Sequence, residues 1–401
     1  MSAREMLDVA VVGAGVVGSA AALALAAEGL RVALVEARAP APWQAAPPDL
    51  RVYAFAPDNA GLLDRLGVWA DIAGTRAAAY RRMRVWDAAG GGELAFDAAD
   101  LGREELGWIV EHALLVDRLW ARLPAAGVRV LCPERVSAVA QDDASATLAL
   151  ESGARLRARL VVAADGAASA VRGLLGIAVD TRDYRQQGVV GYVCTARPHA
   201  RTAWQRFLPG GPLAFLPSAE GGLDGAEAGH VSSIVWSLPQ DEAERVAALD
   251  DATFGAEVTR GFDARLGEVV PLSPRAAFPL RRVLARHYVA GRVVLCGDAA
   301  HVVHPLAGQG VNLGLRDVAA LQAAVRAALR RGGDIGASRR LAAWQRARRS
   351  DNVLSAHAFE TINRAFSNDA LLPTLLRGRA LGLAGRLPGL GPLLARHAVG
   401  G

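Results

Sequence analysis

Lysine is absent from the 401 residues of this chain, and cysteine, methionine and aromatic residues are scarce. The net charge of +5 and the pI of about 9.6 therefore rest on arginine alone. Arginine and alanine are abundant along the whole chain, not concentrated in one basic stretch. We attribute the charge to overall composition and expect no nucleic-acid binding.

The few cysteines limit the kinds of cross-link and metal site. Cys132, Cys194 and Cys296 lie far apart and form no CxxC pair. This spacing predicts a reducing compartment without a disulfide framework. His301 and His304 are three residues apart, but without a third ligand they do not predict a zinc site.

Long charge-free runs are rare as well. Residues 9–27 carry no charge, but three glycines at motif spacing and a strand soon afterwards argue against a membrane span or signal segment. No cleavable targeting peptide is visible. With 52% hydrophobic and 21% charged residues and no low-complexity tail, the sequence predicts a soluble protein of two or three packed lobes.

The N-terminal residues predict a βαβ unit. Residues 7–12 read as a strand, 16–27 as a helix and 32–35 as a second strand that ends in Glu36. Such a unit is the framework of a dinucleotide-binding domain when glycines occupy the first turn.

Those glycines are Gly13, Gly15 and Gly18. In the GxGxxG pattern the first permits a tight turn, the second lets the backbone approach a pyrophosphate, and the third allows close packing of helix and strand. Glu36 ends the second strand, where a carboxylate accepts hydrogen bonds from both hydroxyls of an adenosine ribose. The sequence therefore predicts dinucleotide binding without a 2′-phosphate.

A second glycine-rich connection follows the buried strand 293–295. It turns at Gly297-Asp298 and enters a helix through Gly308, Gly310 and Asn312. Glycines at the head of a helix expose backbone N–H groups beside the positive end of the helix dipole, which suits an electron-rich ligand. Asp298 is placed to accept hydrogen bonds from hydroxyl groups.

Two further residues leave alternatives open. Asp165, followed by Gly166, ends a buried strand and either contributes to a ligand site or fixes the turn and Arg172. Arg51 is either solvated or a cation that approaches bound phosphates. These stretches converge if the chain returns twice to one parallel sheet.

The remaining segments differ in character. Residues 180–285 are richer in aromatic and β-branched residues and predict an antiparallel sheet that forms one wall of a substrate cavity. Residues 370–399 are apolar with scattered arginines and are broken by Pro and Gly, which predicts short amphipathic helices. These helices either cap the body of the protein or face a membrane or a partner.

Taken together, the three glycine or Asp-Gly stretches resemble those of flavin-dependent aromatic hydroxylases with a single dinucleotide-binding domain. Five more stretches look like the ubiquinone-biosynthesis branch of that family: residues 83–87 (MRVWD), 106–111 (LGWIVE), 211–217 (GPLAFLP), 233–236 (SIVW) and 304–317 (HPLAGQGVNLGLRD). The resemblance runs from Val9 to about Asp317. Beyond it the chain shares only an apolar character with the family.

The resemblance implies an α/β fold with three parts. An FAD-binding Rossmann-like domain with a parallel sheet would comprise residues 1–75, 110–178 and 286–330. A substrate domain built on an antiparallel sheet would comprise residues 76–109 and 179–285. Residues 331–401 would form a C-terminal helical region.

The resemblance also assigns a flavin site. Gly13, Gly15 and Gly18 would bind the pyrophosphate, Glu36 the ribose and Asp298 the ribityl chain of FAD. The full set of implied cofactor-binding residues is Gly13, Gly15, Gly18, Glu36, Arg51, Arg118, Asp165, Asp298, Gly308, Gly310, Val311 and Asn312. Pro305, Gly308 and Gln309 are expected to line the flavin and substrate side. The family usually has Gln or Arg three residues before a helix leucine; here Val116 precedes Leu119, and Arg118 is the candidate substitute.

The activity implied is an FAD-dependent monooxygenase that hydroxylates the ring of a polyprenylated phenol or benzoquinol in ubiquinone biosynthesis. A flavin hydroperoxide would carry the oxygen, so no side chain is assigned as catalytic and no metal is expected. The partners would be O2, NAD(P)H or a reductase, and a pathway assembly at the inner, cytoplasmic face of the membrane. Two alternatives remain: a hydroxylase of a small soluble aromatic compound, and a non-catalytic scaffold that binds FAD or a prenyl lipid.

Overall fold

The computed structural model describes residues 6–88, 92–219, 226–303 and 309–366. Within those ranges the strands, in chain order, are β1 (Leu7–Val12), β2 (Val32–Val35), β3 (Val52–Phe55), β4 (Ala77–Tyr80), β5 (Arg82–Asp87), β6 (Glu93–Asp97), β7 (Gly107–Glu111), β8 (Arg129–Leu131), β9 (Val136–Gln141), β10 (Ala146–Leu150), β11 (Arg155–Ala163), β12 (Val179–Thr195), β13 (Thr202–Leu208), β14 (Gly211–Pro217), β15 (Val231–Pro239), β16 (Val269–Pro271), β17 (Ala276–Ala285), β18 (Val289–Ala290), β19 (Val293–Leu295) and β20 (His301–Val302).

The helices alternate with these strands. They are α1 (Val16–Ala26), α2 (Pro57–Arg65), α3 (Trp69–Arg76), α4 (His112–Arg122), α5 (Ala170–Leu174), α6 (Gln240–Ala247), α7 (Asp251–Gly261), α8 (Gln309–Leu329) and α9 (Ser338–Phe366), with short 3-10 turns at Ala98–Leu101, Pro124–Ala126 and Gly297–Ala299. None of the helices in the described ranges has both the length and the apolar character needed to cross a bilayer.

A mainly parallel sheet forms one half of the molecule. Its strands follow the order β18-β19-β11-β1-β2-β8, of which β19 to β8 are parallel, and β18, β10 and β9 extend it in antiparallel fashion. The central strands are continuous runs of Val, Leu and Ala because helices cover both faces of the sheet. Helix α1 is apolar throughout for the same reason: it is buried between the sheet, α4 and α8.

A second sheet of nine strands follows the order β20-β17-β12-β15-β14-β13-β5-β6, with β16 paired to β12. Its neighbours are antiparallel except for β5 and β13, which run parallel. Helices α6 and α7 cover one face, where Phe215, Trp236 and Phe254 belong to a separate core. A small third sheet, β3-β7-β4, connects the two larger ones.

The predicted α/β fold class is confirmed, and the strands predicted at 7–12 and 32–35 have those bounds. The pattern of apolar residues predicts a last helix over 341–366; it begins at Ser338, because its first turn is polar and gives no apolar periodicity. One feature was not predicted: β20 follows the loop after β19 but pairs with β17 in the second sheet. The predicted amphipathic helices at 370–399 lie outside the described residues, as do Gly90 and Gly91 in the turn of the hairpin that residues 81–96 predict.

Candidate active site

The loops that follow three neighbouring parallel strands meet at one edge of the first sheet. Strands β1, β11 and β19 lie side by side, so their carboxyl ends adjoin. Backbone hydrogen bonds hold the loops together: Ala164 N donates to Val12 O (2.8 Å) and Cys296 N donates to Ala163 O (2.9 Å). The glycine turn, the Asp165 turn and the Asp298 turn are thereby brought to the same place.

A cavity of about 460 Å3 opens at this edge. Its first wall includes Gly15, Gly166, Asp298, Gly310 and Val311, which come from the three loops and the start of α8. Its second wall is one face of the nine-stranded sheet. The cavity therefore lies between the two large sheets.

The three glycines of the first turn differ in what a side chain would meet. A Cβ on Gly13, which has φ +97°, would lie 2.4 Å from Ala164 O, and one on Gly18 would lie 1.9 Å from Gly13 O. A Cβ on Gly15 would meet no atom within 4 Å. Gly13 and Gly18 are thus required by the packing of the chain itself, whereas Gly15 keeps a space open on the cavity wall.

Glu36 lies beside the same turn. Its Oε2 accepts a hydrogen bond from Ala14 N at 2.6 Å, and its Oε1 accepts one from Arg38 N at 3.1 Å. The side chain is half-buried and does not line the cavity. Its predicted contact with a ribose stays a prediction, and the carboxylate already braces the backbone at Ala14.

The start of α8 forms the other part of this wall. A Cβ on Gly310 would meet nothing within 4 Å, whereas one on Gly314 would lie 2.6 Å from Val17 Cγ2. Asp298 faces the cavity, and its carboxylate has no hydrogen bond or ion pair among the described residues. Pro305 and Gly308 lie outside those residues, as does the side chain of Gln309, so their predicted roles rest on sequence alone.

Two predicted cofactor ligands, Asp165 and Asn312, form hydrogen bonds within the chain. Asp165 accepts hydrogen bonds from Ser169 Oγ (2.5 Å) and Val171 N (3.0 Å), so its carboxylate stabilises the start of α5. Asn312 is fully buried; its Oδ1 accepts from Ala56 N (2.9 Å) and its Nδ2 donates to Ala54 O (2.7 Å). Neither side chain lines the cavity, and only the helical backbone of Asn312 remains for a ligand.

The two predicted arginines have different positions. Arg51 lines the cavity, and its guanidinium lies 5.5 Å from the centre of the Tyr53 ring. Arg118 does not line the cavity: it pairs with Asp117 and with Asp71 (2.7 Å) and lies over the Trp43 ring. The position of Arg118 does not favour the contact with the cofactor that the family pattern implied.

Two side chains of the cavity wall were not predicted from the sequence. Tyr53 and His112 both line the cavity, and the Tyr53 hydroxyl lies 3.0 Å from His112 Nδ1. Burial, together with the charge of Arg51, lowers the pKa of His112 to about 4, and burial raises the pKa of Tyr53. His112 is therefore neutral at neutral pH. The two residues are far apart in the chain, and no spacing rule connects them.

The chemistry of this wall matches the groups of FAD. Two glycines leave space where a side chain would block a ligand, a carboxylate with no partner among the described residues faces the cavity, and a helix of 21 residues begins at its wall. Backbone amides at a helix start suit a pyrophosphate or an electron-rich ring, and a carboxylate suits hydroxyl groups. The residues present fit FAD.

Comparison with known proteins decides the family. An FAD binding domain model matches residues 6–354. The ubiquinone hydroxylase UbiL of Rhodospirillum rubrum is 39% identical over all of this chain and 91% of its own length. The 3-demethoxyubiquinol 3-hydroxylase of Escherichia coli is 37% identical over 95% of this chain and 94% of its own length. The chain belongs to the FAD-dependent ubiquinone-biosynthesis hydroxylases.

Solved structures agree on the fold of this hydroxylase. The p-nitrophenol 4-monooxygenase PnpA of Pseudomonas putida superimposes with a TM-score of 0.77, covering 99% of both chains at 21% identity. At that identity the likeness concerns the fold alone. The predicted family, the cofactor FAD and the class of aromatic-ring monooxygenase are confirmed by the family model and the named relatives.

A buried polar cluster, also missed from the sequence, lies behind the flavin site of the hydroxylase. Asp317 and His301 are both 0% exposed, and Asp317 Oδ2 lies 2.6 Å from His301 Nε2. Asp317 Oδ1 accepts from Arg348 Nε (2.8 Å) and Asn352 Nδ2 (3.1 Å), and Gly297 N donates to Oδ2 (3.1 Å).

We call Asp317, His301, Arg348 and Asn352 the Asp317 cluster. Burial alone would raise the pKa of the Asp317 carboxyl, but His301 and Arg348 bring that pKa below its usual range. The charged carboxylate joins α8, the Asp298 turn, β20 and α9. It thus holds the start of α8 against the loop that carries Asp298.

Proposed function

We propose that this enzyme hydroxylates the aromatic ring of a polyprenylated phenol or benzoquinol intermediate of ubiquinone biosynthesis. The observation that carries the proposal is the cavity. It joins the first wall, which we call the FAD wall, directly to the apolar sheet face of the second wall. The names of the two relatives, a ubiquinone hydroxylase and a demethoxyubiquinol hydroxylase, support a substrate of this class. An apolar wall is suited to an isoprenoid-bearing ring.

The residues that would hold FAD are those of the first wall. The backbone at Gly15 would bind the pyrophosphate, Asp298 the ribityl hydroxyls, and the amides at Gly310 and Val311 the pyrimidine end. When bound and reduced, FAD supplies the electrons that activate O2 for oxygen transfer to a ring. The chain positions this chemistry.

The protein itself orients the substrate ring, stabilises negative charge and excludes water. The positive end of the α8 dipole stabilises negative charge near Gly310. Apolar side chains of the second wall, such as Met83, Leu216 and Phe278, exclude water from the reacting ring. The neutral His112 holds Tyr53 beside Arg51 without adding a positive charge.

The proposal includes an electron donor and a location. We infer that NAD(P)H or a partner reductase reduces the enzyme, and that it works in the cytoplasm on the inner face of the membrane with other enzymes of the pathway. A polyprenylated substrate partitions into the bilayer, and residues 370–399 have the apolar composition with scattered arginines that suits a surface-binding segment. Liposome flotation of the full chain and of a chain lacking residues 370–401 tests this location.

Labelled oxygen provides the test of the reaction. The FAD-loaded enzyme, reduced by NADPH or by light, is mixed with 18O2 and 2-prenylphenol, and the products are analysed by mass spectrometry. We expect one 18O atom in the ring product and none when the label is in water instead. Faster hydroxylation of 4-hydroxybenzoate would favour a small soluble substrate, and bound FAD without oxygen consumption would favour a scaffold. Either result would contradict the proposal.

Deletion of the gene gives an independent check in the cell. We expect ubiquinone to fall and a polyprenylated precursor lacking one ring oxygen to accumulate. Its structure, determined by mass spectrometry and NMR, identifies the ring position that the enzyme oxidises. Normal ubiquinone with no accumulated precursor would count against the pathway assignment.

A further inference from the structure

The two faces of the nine-stranded sheet carry different side chains. Successive residues in a strand point to opposite faces. On β14, Leu213 and Phe215 pack into the core with α6 and α7, whereas Ala214 and Leu216 line the cavity. The cavity face is thus expected to be apolar wherever it meets a prenylated ligand.

Gln205 breaks this pattern. It lies on β13, paired with Ala214 of β14 and Val85 of β5, and it lines the cavity although it is only 8% exposed. No hydrogen bond of its side-chain amide lies within the described residues, and the amide borders the open cavity. An amide that the protein itself does not satisfy pairs with water or with a ligand.

The side chains around Gln205 on this face are apolar. Along β13 they are Ala203 and Phe207, and the residues opposite are Ala214 of β14 and Val85 of β5. Ser237 also lines the cavity, but it lies two strands away on β15. Gln205 therefore places an amide among apolar neighbours on the cavity wall.

We propose that Gln205 is a specificity residue that hydrogen-bonds an oxygen substituent of the substrate ring. An amide has both a donor and an acceptor, so it pairs with a phenolic hydroxyl and with a quinone carbonyl alike. The oxygenated side of the ring then faces β13, and the apolar remainder contacts the aliphatic residues of the same wall. This inference rests on the proposed function, because it assumes a prenylated phenol or quinol as the ligand.

The test compares two ligands that differ by one hydroxyl. Binding of 2-prenylphenol and of prenylbenzene to the oxidised, FAD-loaded enzyme is measured by calorimetry, without turnover. We expect the wild type to prefer the phenol by about fivefold to tenfold, the usual effect of one neutral hydrogen bond. Gln205→Met, which preserves length but removes the amide, is expected to abolish the preference by weakening phenol binding alone.

Matched variants separate recognition from packing. Met83→Leu alters the same wall without a polar change and is expected to shift both ligands equally. Ser237→Ala is expected to keep the preference. The melting temperature of the ligand-free Gln205→Met enzyme is expected to equal or exceed that of the wild type, since an unpaired amide has been removed.

The outcomes distinguish the inference from the function on which it rests. A wild type that binds neither ligand contradicts the proposed substrate class and the inference with it. A preference that survives Gln205→Met, or is lost in Ser237→Ala instead, contradicts only the role of Gln205. A lower melting temperature together with equal loss of both ligands would show that Gln205 is structural. In turnover, a raised KM with little change in kcat agrees with recognition.

Discussion

The two walls of the cavity are built from different parts of the chain. The FAD wall consists largely of backbone at Gly15, Gly310 and the turns beside them. The conformation and close packing of that backbone restrict which residues can occupy these positions. The substrate wall consists of side chains on alternate positions of sheet strands, where many apolar residues would serve. Substitutions in the first wall should therefore affect folding and cofactor binding, and those in the second should affect substrate choice.

The largest effect is expected from a methyl group at Gly18. Gly18→Ala places a Cβ against Gly13 O, so the turn must move and the folded state should lose more than about 4 kcal/mol. Gly15→Ala meets no atom and should leave the melting temperature of the FAD-free protein nearly unchanged while weakening FAD binding. Thermal unfolding and FAD titration measure both. Equal destabilisation by the two variants would contradict the division between packing and ligand glycines.

A smaller but still large effect is expected from the Asp317 cluster, which supports the FAD wall. Asp317→Asn removes the fully buried carboxylate that pairs with both His301 and Arg348 and should lower the free energy of unfolding by about 3–5 kcal/mol. Asp58→Asn is the matched control, because it breaks a solvent-accessible ion pair with Arg316 on the same helix α8 and should cost less than about 1 kcal/mol. Urea denaturation measures the difference. Similar losses of unfolding free energy in both variants would contradict the supporting role of the Asp317 cluster.

An intermediate effect is expected at the adenosine end of the FAD wall. Glu36→Gln removes the carboxylate that the family pattern places at the ribose and should raise the Kd of FAD by about tenfold. Glu28→Gln changes an acid at the end of α1 that pairs with Arg326 and should leave the Kd unchanged. Fluorescence titration of the FAD-free protein gives both values. Equal Kd values for the wild type and Glu36→Gln would remove Glu36 from the site.

The smallest effect concerns His112, where the two walls meet. Its pKa of about 4 in the folded protein is below the ordinary 6.5, so the unfolded chain binds more protons between these values. The free energy of unfolding should therefore fall as the pH drops from 7 towards 4. His112→Gln should reduce that fall by roughly 1 kcal/mol. Urea denaturation at pH 7 and pH 5 tests this.

His199, a buried residue in the loop between β12 and β13, provides the comparison. Burial and the nearby His230 lower its pKa to about 4 as well. His199→Gln should reduce the pH dependence in the same direction but leave FAD binding unchanged, because His199 does not line the cavity. An unchanged pH dependence in both variants would mean that other groups control acid stability.

The sequence predicted the glycine turn at the start of the first sheet because that turn obeys local rules. Glycines at fixed spacing, a strand before them and a helix after them leave few alternative structures, and Gly13, Gly15 and Gly18 could be interpreted from these rules. The contacts of Asp165 and Asn312 could not be inferred in this way. Their hydrogen-bond partners Val171, Ala54 and Ala56 are brought near them only by the fold.

The substrate wall was predictable only as a sheet. Which face of β13 meets the cavity depends on its register with β5, about 120 residues earlier in the chain, and no local pattern specifies that pairing. Tyr53 and His112, and likewise Asp317 and Arg348, are brought together by tertiary packing. Polar pairs of this kind have no spacing signature in a single sequence.

The order of the strands in the first sheet also determines when the flavin site can form during translation. The glycine turn leaves the ribosome among the earliest residues, yet its neighbour β19 ends at Leu295 and Arg348 comes later still. A chain halfway through translation therefore has the GxGxxG turn but no Asp298 turn and no α8. The complete flavin site therefore forms late in synthesis, and until then the sheet has an unpaired strand edge of the kind that promotes aggregation.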